Sequence, residues 1–164
     1  FLTISQNCRV ITFNDMGIWT PSLVIDPDLK DEKGFSFDVG LRSEQTTLFD
    51  YDISFFYLNY DNRIGEVQFY DENNRVLRRR GNIGRAVIQG LEVYGELDVL
   101  GYVNPKQSDW SGVVFNNVAV IRSSYERSEE PGVAGNEVEF VPHINLKSAL
   151  RFGYRTVRPS VQYT

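Results

Sequence analysis

The 164-residue sequence predicts an all-β fold of antiparallel transmembrane strands that form part of a β-barrel. Three observations support this prediction. Apolar and polar residues alternate with a period of two over long stretches, and the apolar positions are rich in Val, Ile, Phe, Tyr and Thr. Long and short connections alternate along the chain, as the outer loops and inner turns of a membrane barrel do. The polar faces carry full charges rather than scattered Ser and Thr.

The first part of the chain predicts three strands. One strand begins at or before Phe1 and alternates until the pattern lapses into a long connection at residues 14–34. This connection contains two prolines and, between Asp26 and Glu32, four acidic residues. Residues 35–42 alternate strictly, which predicts the second strand. After a short polar connection at residues 43–46, a longer strand is predicted at residues 47–60, where both faces become aromatic at the far end.

The middle of the chain predicts a long polar segment that contains the tip of a hairpin. The alternation weakens at residues 61–65, and residues 66–70 and 76–80 flank the turn-rich tetrad Asp-Glu-Asn-Asn at residues 71–74. Residues 86–98 then resume the alternation, which predicts the next crossing strand.

The last part of the chain predicts three further strands. A turn cluster at residues 99–112 precedes a strand at residues 113–123, whose register is ambiguous because Asn116 and Asn117 interrupt it. A charged segment with Pro and Gly, residues 126–137, predicts another long loop. Strands follow at residues 143–154 and 160–164, which brings the predicted number of crossing strands to about seven.

Strand length and side-chain placement favour a membrane barrel. The predicted strands at residues 47–60 and 86–98 exceed the roughly 9 to 11 residues needed to cross a bilayer at a tilt, and the roughly five or six usual in soluble sheets. Aromatic residues at strand ends are candidates for interfacial girdles, namely Phe49, Tyr57, Tyr60, Phe152 and Tyr154. The predicted polar faces carry Asp38, Arg42, Asp50, Asp52, Glu92, Glu96, Lys147 and Arg151.

Composition excludes several other classes of protein. The net charge of -5 and the pI near 4.9 argue against a nucleic-acid partner, which would need a basic surface. A single cysteine cannot form an internal disulfide, a single histidine cannot supply a usual metal site, and no cofactor is expected. The carboxylates are spread over strand faces and form no catalytic constellation, so we expect no enzyme. The alternative to a barrel is a soluble β-sandwich that binds carbohydrate or protein.

Several segments match one protein family in order and spacing. They are the stretch Ser5-Gln6-Asn7 with Arg9 and Phe13, the run Asp26 to Lys33 leading to Gly40-Leu41-Arg42, the aromatic run Phe55 to Ile64, Gly84-Arg85-Ala86 with Gln89 to Glu92, and Gly135-Asn136 with Phe140 to His143. Through these segments, over roughly residues 5–155, the chain resembles the barrel of TonB-dependent outer-membrane receptors, with the ferric-citrate or siderophore type as the suggested likeness. The first segment departs most, at Cys8 and Thr12.

This resemblance implies a 22-stranded barrel with a plug inside. Residues 1–164 would then be part of the barrel, with the plug domain and the remaining strands absent, and both ends of the chain look cut. The implied function is active uptake of an external ligand, foremost a ferric chelate or siderophore, across the outer membrane of a Gram-negative bacterium. The implied partners are this ligand, the outer-membrane lipid, and the TonB complex, which would act through the absent plug.

The candidate ligand-binding residues are Arg78, Arg79 and Arg80, which form a basic run beside the predicted hairpin tip. Anionic chelates favour clustered guanidinium donors, because each guanidinium offers several hydrogen bonds in a fixed fork. The alternative is a solvated loop or a contact with lipopolysaccharide, since runs of charge are often only solvated.

Overall fold

The described residues of the computed structural model, 1–12, 16, 22–43, 48–104 and 109–163, contain one sheet of eight strands. Seven strands follow one another antiparallel in the order β1-β3-β4-β5-β6-β7-β8, and β2 pairs parallel with β5. The prediction of an all-β fold with about seven crossing strands is confirmed. The strands are β1 (Leu2–Arg9), β2 (Leu23–Ile25), β3 (Glu32–Arg42), β4 (Phe49–Tyr70), β5 (Val76–Asp98), β6 (Trp110–Ser128), β7 (Ile144–Tyr154) and β8 (Ser160–Tyr163). A short helix, α1 (Val99–Val103), follows β5.

The strand register sorts the side chains onto two faces. One row across the sheet pairs Phe55 with Leu91 and Leu91 with Val120, whereas an adjacent row pairs Ser54 with Glu92. The apolar face comprises Leu41, Phe49, Tyr51, Ile53, Phe55, Tyr57, Leu91, Val93, Leu97, Val114, Val118, Val120, Ile144, Leu146, Leu150 and Phe152. The polar face carries the eight charged residues predicted for it, Asp38, Arg42, Asp50, Asp52, Glu92, Glu96, Lys147 and Arg151.

The apolar face has no second layer over it among the described residues. Leu41 is 71% exposed and Leu150 is 60% exposed, although both are large aliphatic side chains. A β-sandwich would cover such a face with a second sheet, so the sandwich alternative does not fit. On β4 the outward run from Phe49 to Tyr57 covers eight residue steps, or about 27 Å along the strand. At the usual tilt this approaches the roughly 25 Å apolar band of a membrane barrel.

The central strands are much longer than predicted. The polar excursion at residues 61–85 is paired strand for most of its length, because β4 runs to Tyr70 and β5 begins at Val76. A β-bulge lies between Tyr60 and Arg63, where Asn62 adopts a φ of 55°. A bulge shifts the alternation of side chains, which hides the strand from a period-two pattern. The tip predicted at residues 71–74 is confirmed, because the turn of this hairpin comprises residues 71–75.

Other predicted boundaries were also wrong. β3 starts at Glu32 rather than at residue 35, and β6 extends from Trp110 to Ser128 rather than over residues 113–123. The predicted connections at residues 14–34 and 99–112 contain β2 and α1. Calls that fall on residues 13–15, 17–21, 44–47, 105–108 and 164 lie outside the described residues.

One aromatic and two amide residues could be assigned to a face of the sheet only from the strand register. Tyr60, predicted for a girdle, pairs with Ala86 on the polar-face side and packs against a buried cluster, so it does not face outward. Asn117 lies on the polar face and donates to Glu92 at 2.7 Å. Asn116 lies on the apolar face and accepts from the Ser148 hydroxyl at 2.7 Å, which satisfies both groups locally.

Candidate functional site at the loop end of the sheet

The long connections gather at one end of the sheet, around the extended β4–β5 hairpin. β6 leaves β5 after the pair Gly84 and Ser128, and β2 takes its place beside β5 further out. Arg78 N donates to Ser22 O at 2.8 Å, and Asp26 N donates to Arg80 O at 2.9 Å. The basic run therefore lies in the middle of a small three-stranded sheet and not on a free loop.

Asn82 holds the connection from β2 to β3 against this hairpin. Its side-chain oxygen accepts from Lys30 N at 2.7 Å, and its side-chain nitrogen donates to Lys30 O at 2.9 Å and to Asn62 O at 2.7 Å. One side chain thus joins three segments that are far apart in the sequence.

The structure separates the three candidate arginines. Strand alternation places Arg78 and Arg80 on one side, where both contact Glu66 with Nη–Oε distances of 3.6 Å and 2.5 Å. Arg79 points to the other side and is hydrogen-bonded to Glu130. Three guanidinium groups therefore face two carboxylates, which leaves a net charge of about +1 by simple count. Whether these arginines bind a ligand stays a prediction.

Residues 129–142 fold over the polar-face side of the sheet at this end. Their Val138 packs in a buried cluster with Ile83, Ala86 and Tyr125. The Tyr125 hydroxyl donates to Glu139 Oε2 at 2.7 Å, and Val138 N donates to the Ser123 hydroxyl at 3.2 Å. We call residues 129–142 the covering segment. The loop predicted at residues 126–137 begins only at residue 129, because β6 continues to Ser128. The burial of Val138 within it was not predicted.

A cavity of about 530 Å³ opens beside the covering segment. Phe140 at its edge is fully exposed and has a φ of 63°, in the left-handed region that non-glycine residues seldom adopt. The cavity size falls within the range of roughly 300 to 1,000 Å³ common for small-ligand sites. The lining residues are Arg9, Ile64, Gly65, Glu66, Arg80, Glu139 and Phe140.

The sequence analysis proposed only one residue of this cavity, Arg80, as a ligand-binding candidate. Arg9, Glu66 and Glu139 come from three distant segments, so no local pattern could have joined them. The positive φ of Phe140 was not predicted either, since a left-handed conformation is expected first of Gly or Asn. An aromatic residue directly after a charged stretch was the one signal that the sequence offered.

Away from the loop end, toward the short connections, the polar face of the sheet carries charged side chains. Arg42 contacts Asp52 at 2.5 Å, and the other oxygen of Asp52 is buried without a hydrogen bond. At the loop end, His143 Nε2 lies 2.8 Å from Glu137 Oε2.

The described residues contain no group of three or more His, Cys, Asp or Glu side chains that could hold a metal ion. Within the described ranges, no helix is long and apolar enough to cross a membrane.

The sequence and the structure were compared with protein families and with solved structures. A family model described as TonB dependent receptor-like, beta-barrel matches residues 1–164. Among solved structures, the "Copper transporter OprC" is similar with a TM-score of 0.66 and 12% sequence identity. The alignment covers 97% of this chain and 23% of that chain, so the present chain spans about a quarter of its length. No curated protein matches the sequence. The chain belongs to the β-barrel family of TonB-dependent receptors.

Proposed function

We propose that this chain forms part of the barrel wall of an outer-membrane receptor in a Gram-negative bacterium. In this proposal the plug domain and the remaining strands belong to the rest of the protein, and the TonB complex supplies energy through the plug. The protein imports an external ligand and catalyses no reaction. The observation that carries the proposal is a single sheet with an exposed apolar face and a charged opposite face, whose longest connections, between β1 and β3 and between β6 and β7, lie at the same end.

The ligand proposed here is a ferric chelate of the siderophore class. Arg80 lines the cavity at the loop end, and Arg78 lies on the same side of the hairpin and shares Glu66 with it. Arg79 lies on the other side, paired with Glu130. Glu66 and Glu130 already offset part of this charge, so a chelate with a small negative charge fits better than a highly charged one. Phe140 adds an apolar ring at the edge of the same cavity.

Uptake by cells that express the intact protein tests this proposal. Cells grown without free iron are given radioactive ferric citrate or a ferric siderophore, with and without a functional TonB complex. We expect accumulation of iron that requires both the protein and the TonB complex. Copper salts are included in the panel, because the similar solved structure is named as a copper transporter.

Substitution of the arginines tests the site separately. Arg78→Gln combined with Arg80→Gln removes the two guanidinium groups that share Glu66. We expect a loss of roughly tenfold or more in ligand affinity, as for the loss of one or two charge-assisted hydrogen bonds. Arg75→Gln is the matched control, because Arg75 lies in the same hairpin but contacts Asp71.

Unchanged affinity in the double variant would reject the arginines as the site. TonB-independent accumulation, or the absence of any transported ligand in the panel, would contradict the proposed function.

A further inference from the structure

The outer part of strand β4 has an open edge. β3 pairs with β4 only as far as the pair Lys33 and Asp61, and no strand among the described residues lies beside β4 on that side further out. The other edge of the same hairpin is occupied, because β2 pairs with β5 at residues 78–80. The hairpin therefore already accepts one short added strand, on its β5 side.

The hydrogen bonds of β5 show which backbone groups of β4 face the open edge. In an antiparallel pair, the backbone groups of opposite residues point alternately toward each other and away from each other. Arg78 donates its N–H to the residue before β2, and the C=O of Arg80 accepts from the residue after β2. Both arginines therefore point away from β4. Their partners Gln68 and Glu66 point away from β5 in turn, and so does Tyr70.

The first donor on this edge is satisfied within the protein. Ile64 has the same place in the alternation, and its N–H donates to the buried Glu32 carboxylate at 3.2 Å. The next three positions, Glu66, Gln68 and Tyr70, follow at intervals of about 7 Å along the strand. Their side chains are exposed. No described residue pairs its backbone with theirs on this edge.

The edge lacks the features that usually prevent pairing with another chain. Natural edge strands are commonly protected by proline, lysine or a bulge. Residues 64–70 contain neither proline nor lysine, and the bulge lies before them, between Tyr60 and Arg63. Glu66 is the one charged residue of this stretch, and it is already paired with arginine. The cavity of about 530 Å³ opens at the base of the edge, since Gly65 and Glu66 line it.

We propose that this edge, residues 64–70, binds an extended segment of a second protein, which adds one strand to the hairpin. A polypeptide strand offers N–H and C=O groups at the matching spacing, which a chelate or a lipid does not. The segment places apolar residues opposite Val67 and Phe69, whose side chains are half-buried.

A second copy of this chain does not fit as the partner. Antiparallel pairing of two identical edges needs a two-fold axis across the strands. Two barrels in one membrane are instead related by an axis along the membrane normal, so their hairpins extend in the same direction. This step alone rests on the proposed function, because it uses the place of the chain in a membrane.

A fluorescent peptide with the sequence of residues 65–71 tests the edge on the intact protein in lipid nanodiscs. Antiparallel pairing centred on Gln68 places Val67 of the peptide opposite Phe69 and Glu66 of the peptide opposite Tyr70, so no like charges meet. We expect saturable binding by fluorescence anisotropy. We also expect slower hydrogen exchange at the Glu66, Gln68 and Tyr70 amides when the peptide is bound.

Two proline variants compare the two edges of the hairpin. Gln68→Pro removes an N–H that faces the open edge, whereas Val76→Pro removes one that faces the β5 edge. We expect roughly tenfold weaker peptide binding in Gln68→Pro, from the loss of a hydrogen bond and the added ring, and unchanged binding in Val76→Pro. Slow exchange of the Phe69 amide, which faces β5, shows that the hairpin is folded. If Gln68→Pro loses this protection, Tyr70→Pro takes its place.

Two results would overturn the inference. One is slow exchange of the Glu66, Gln68 and Tyr70 amides without peptide, which would show that the rest of the protein covers the edge. The other is peptide binding that is absent, or that is equally strong in the folded proline variants of the open edge. Neither result bears on ligand uptake, because the substituted positions lie outside the lining of the ligand cavity.

Discussion

At the scale of single residues, Asp71 closes the tip of the β4–β5 hairpin with its own carboxylate. One oxygen accepts from Asn73 N at 2.9 Å and from Arg75 N at 2.8 Å, and the other accepts from Arg75 Nε at 2.8 Å. The hydrogen bond from the Arg75 backbone is the main cause that lowers the pKa of Asp71 below its ordinary value of 3.8. The turn thus depends on an ionised carboxylate.

This pKa makes the order of the tip dependent on pH. A carboxyl group with a lowered pKa in the folded state contributes stability above its unfolded pKa and loses it as the pH falls through the folded pKa. We predict that the pKa of the Asp71 carboxyl group, measured by NMR titration, lies below 3.8. We also predict that Arg75→Gln raises this pKa only part of the way to its ordinary value. The backbone donor remains in that variant. A pKa at or above 3.8 in the unsubstituted protein would contradict this account.

The arginine run at residues 78–80 does not form one cluster in the structure. The sequence predicted one basic cluster, but a strand sends consecutive side chains to opposite faces. Arg79 therefore meets Glu130 of the covering segment, while Arg78 and Arg80 meet Glu66. Glu130 lies 51 positions from Arg79 in the sequence, so this pairing needed the tertiary structure.

At the scale of elements, the covering segment depends on a small apolar cluster. Ile83 is 4% exposed and lies in this cluster, between Asn82 and Gly84, where the register of β5 against β4 shifts by one residue. We predict that Ile83→Ala destabilises the covered state by about 2 to 5 kcal/mol, since removal of a buried aliphatic side chain leaves a cavity. Limited proteolysis of the intact protein should then cut residues 129–142 faster.

The matched control for this prediction is Val76→Ala. Val76 is a β5 residue of similar character, but it is 52% exposed at the tip. Its truncation should leave cleavage of the covering segment unchanged. Equal cleavage rates in Ile83→Ala and in the unsubstituted protein would show that the cluster does not hold the segment.

The sequence predicted some elements well and others poorly, for a physical reason. Where β4 runs from Phe49 to Tyr57, one face is apolar and the other polar, and the alternation is strict. Beyond Asn59, the hairpin contacts the connections at this end, as Asn82 does with Lys30 and Arg79 with Glu130, so polar residues interrupt the alternation. The bulge at Asn62 then removes the remaining periodicity. The crossing strands could therefore be predicted, whereas the outer half of the hairpin could not.

At the scale of the whole molecule, the account depends on the assignment of the two faces of the sheet. If the apolar face contacts lipid, a charge placed there must leave water, whereas a charge on the polar face need not. Ile53 and Ser54 are neighbours in the middle of the outward run of β4 and lie on opposite faces. This pair allows a comparison at one depth with one substituent.

The most direct measurement is the folding free energy of the intact protein in lipid vesicles, with Ile53→Arg and Ser54→Arg compared in urea titrations. We predict that Ile53→Arg lowers this free energy by about 2 to 4 kcal/mol, the usual cost of a basic residue on the lipid face near the midplane. Ser54→Arg should cost much less. Equal costs, or a larger cost for Ser54→Arg, would contradict the assignment of the apolar face to lipid.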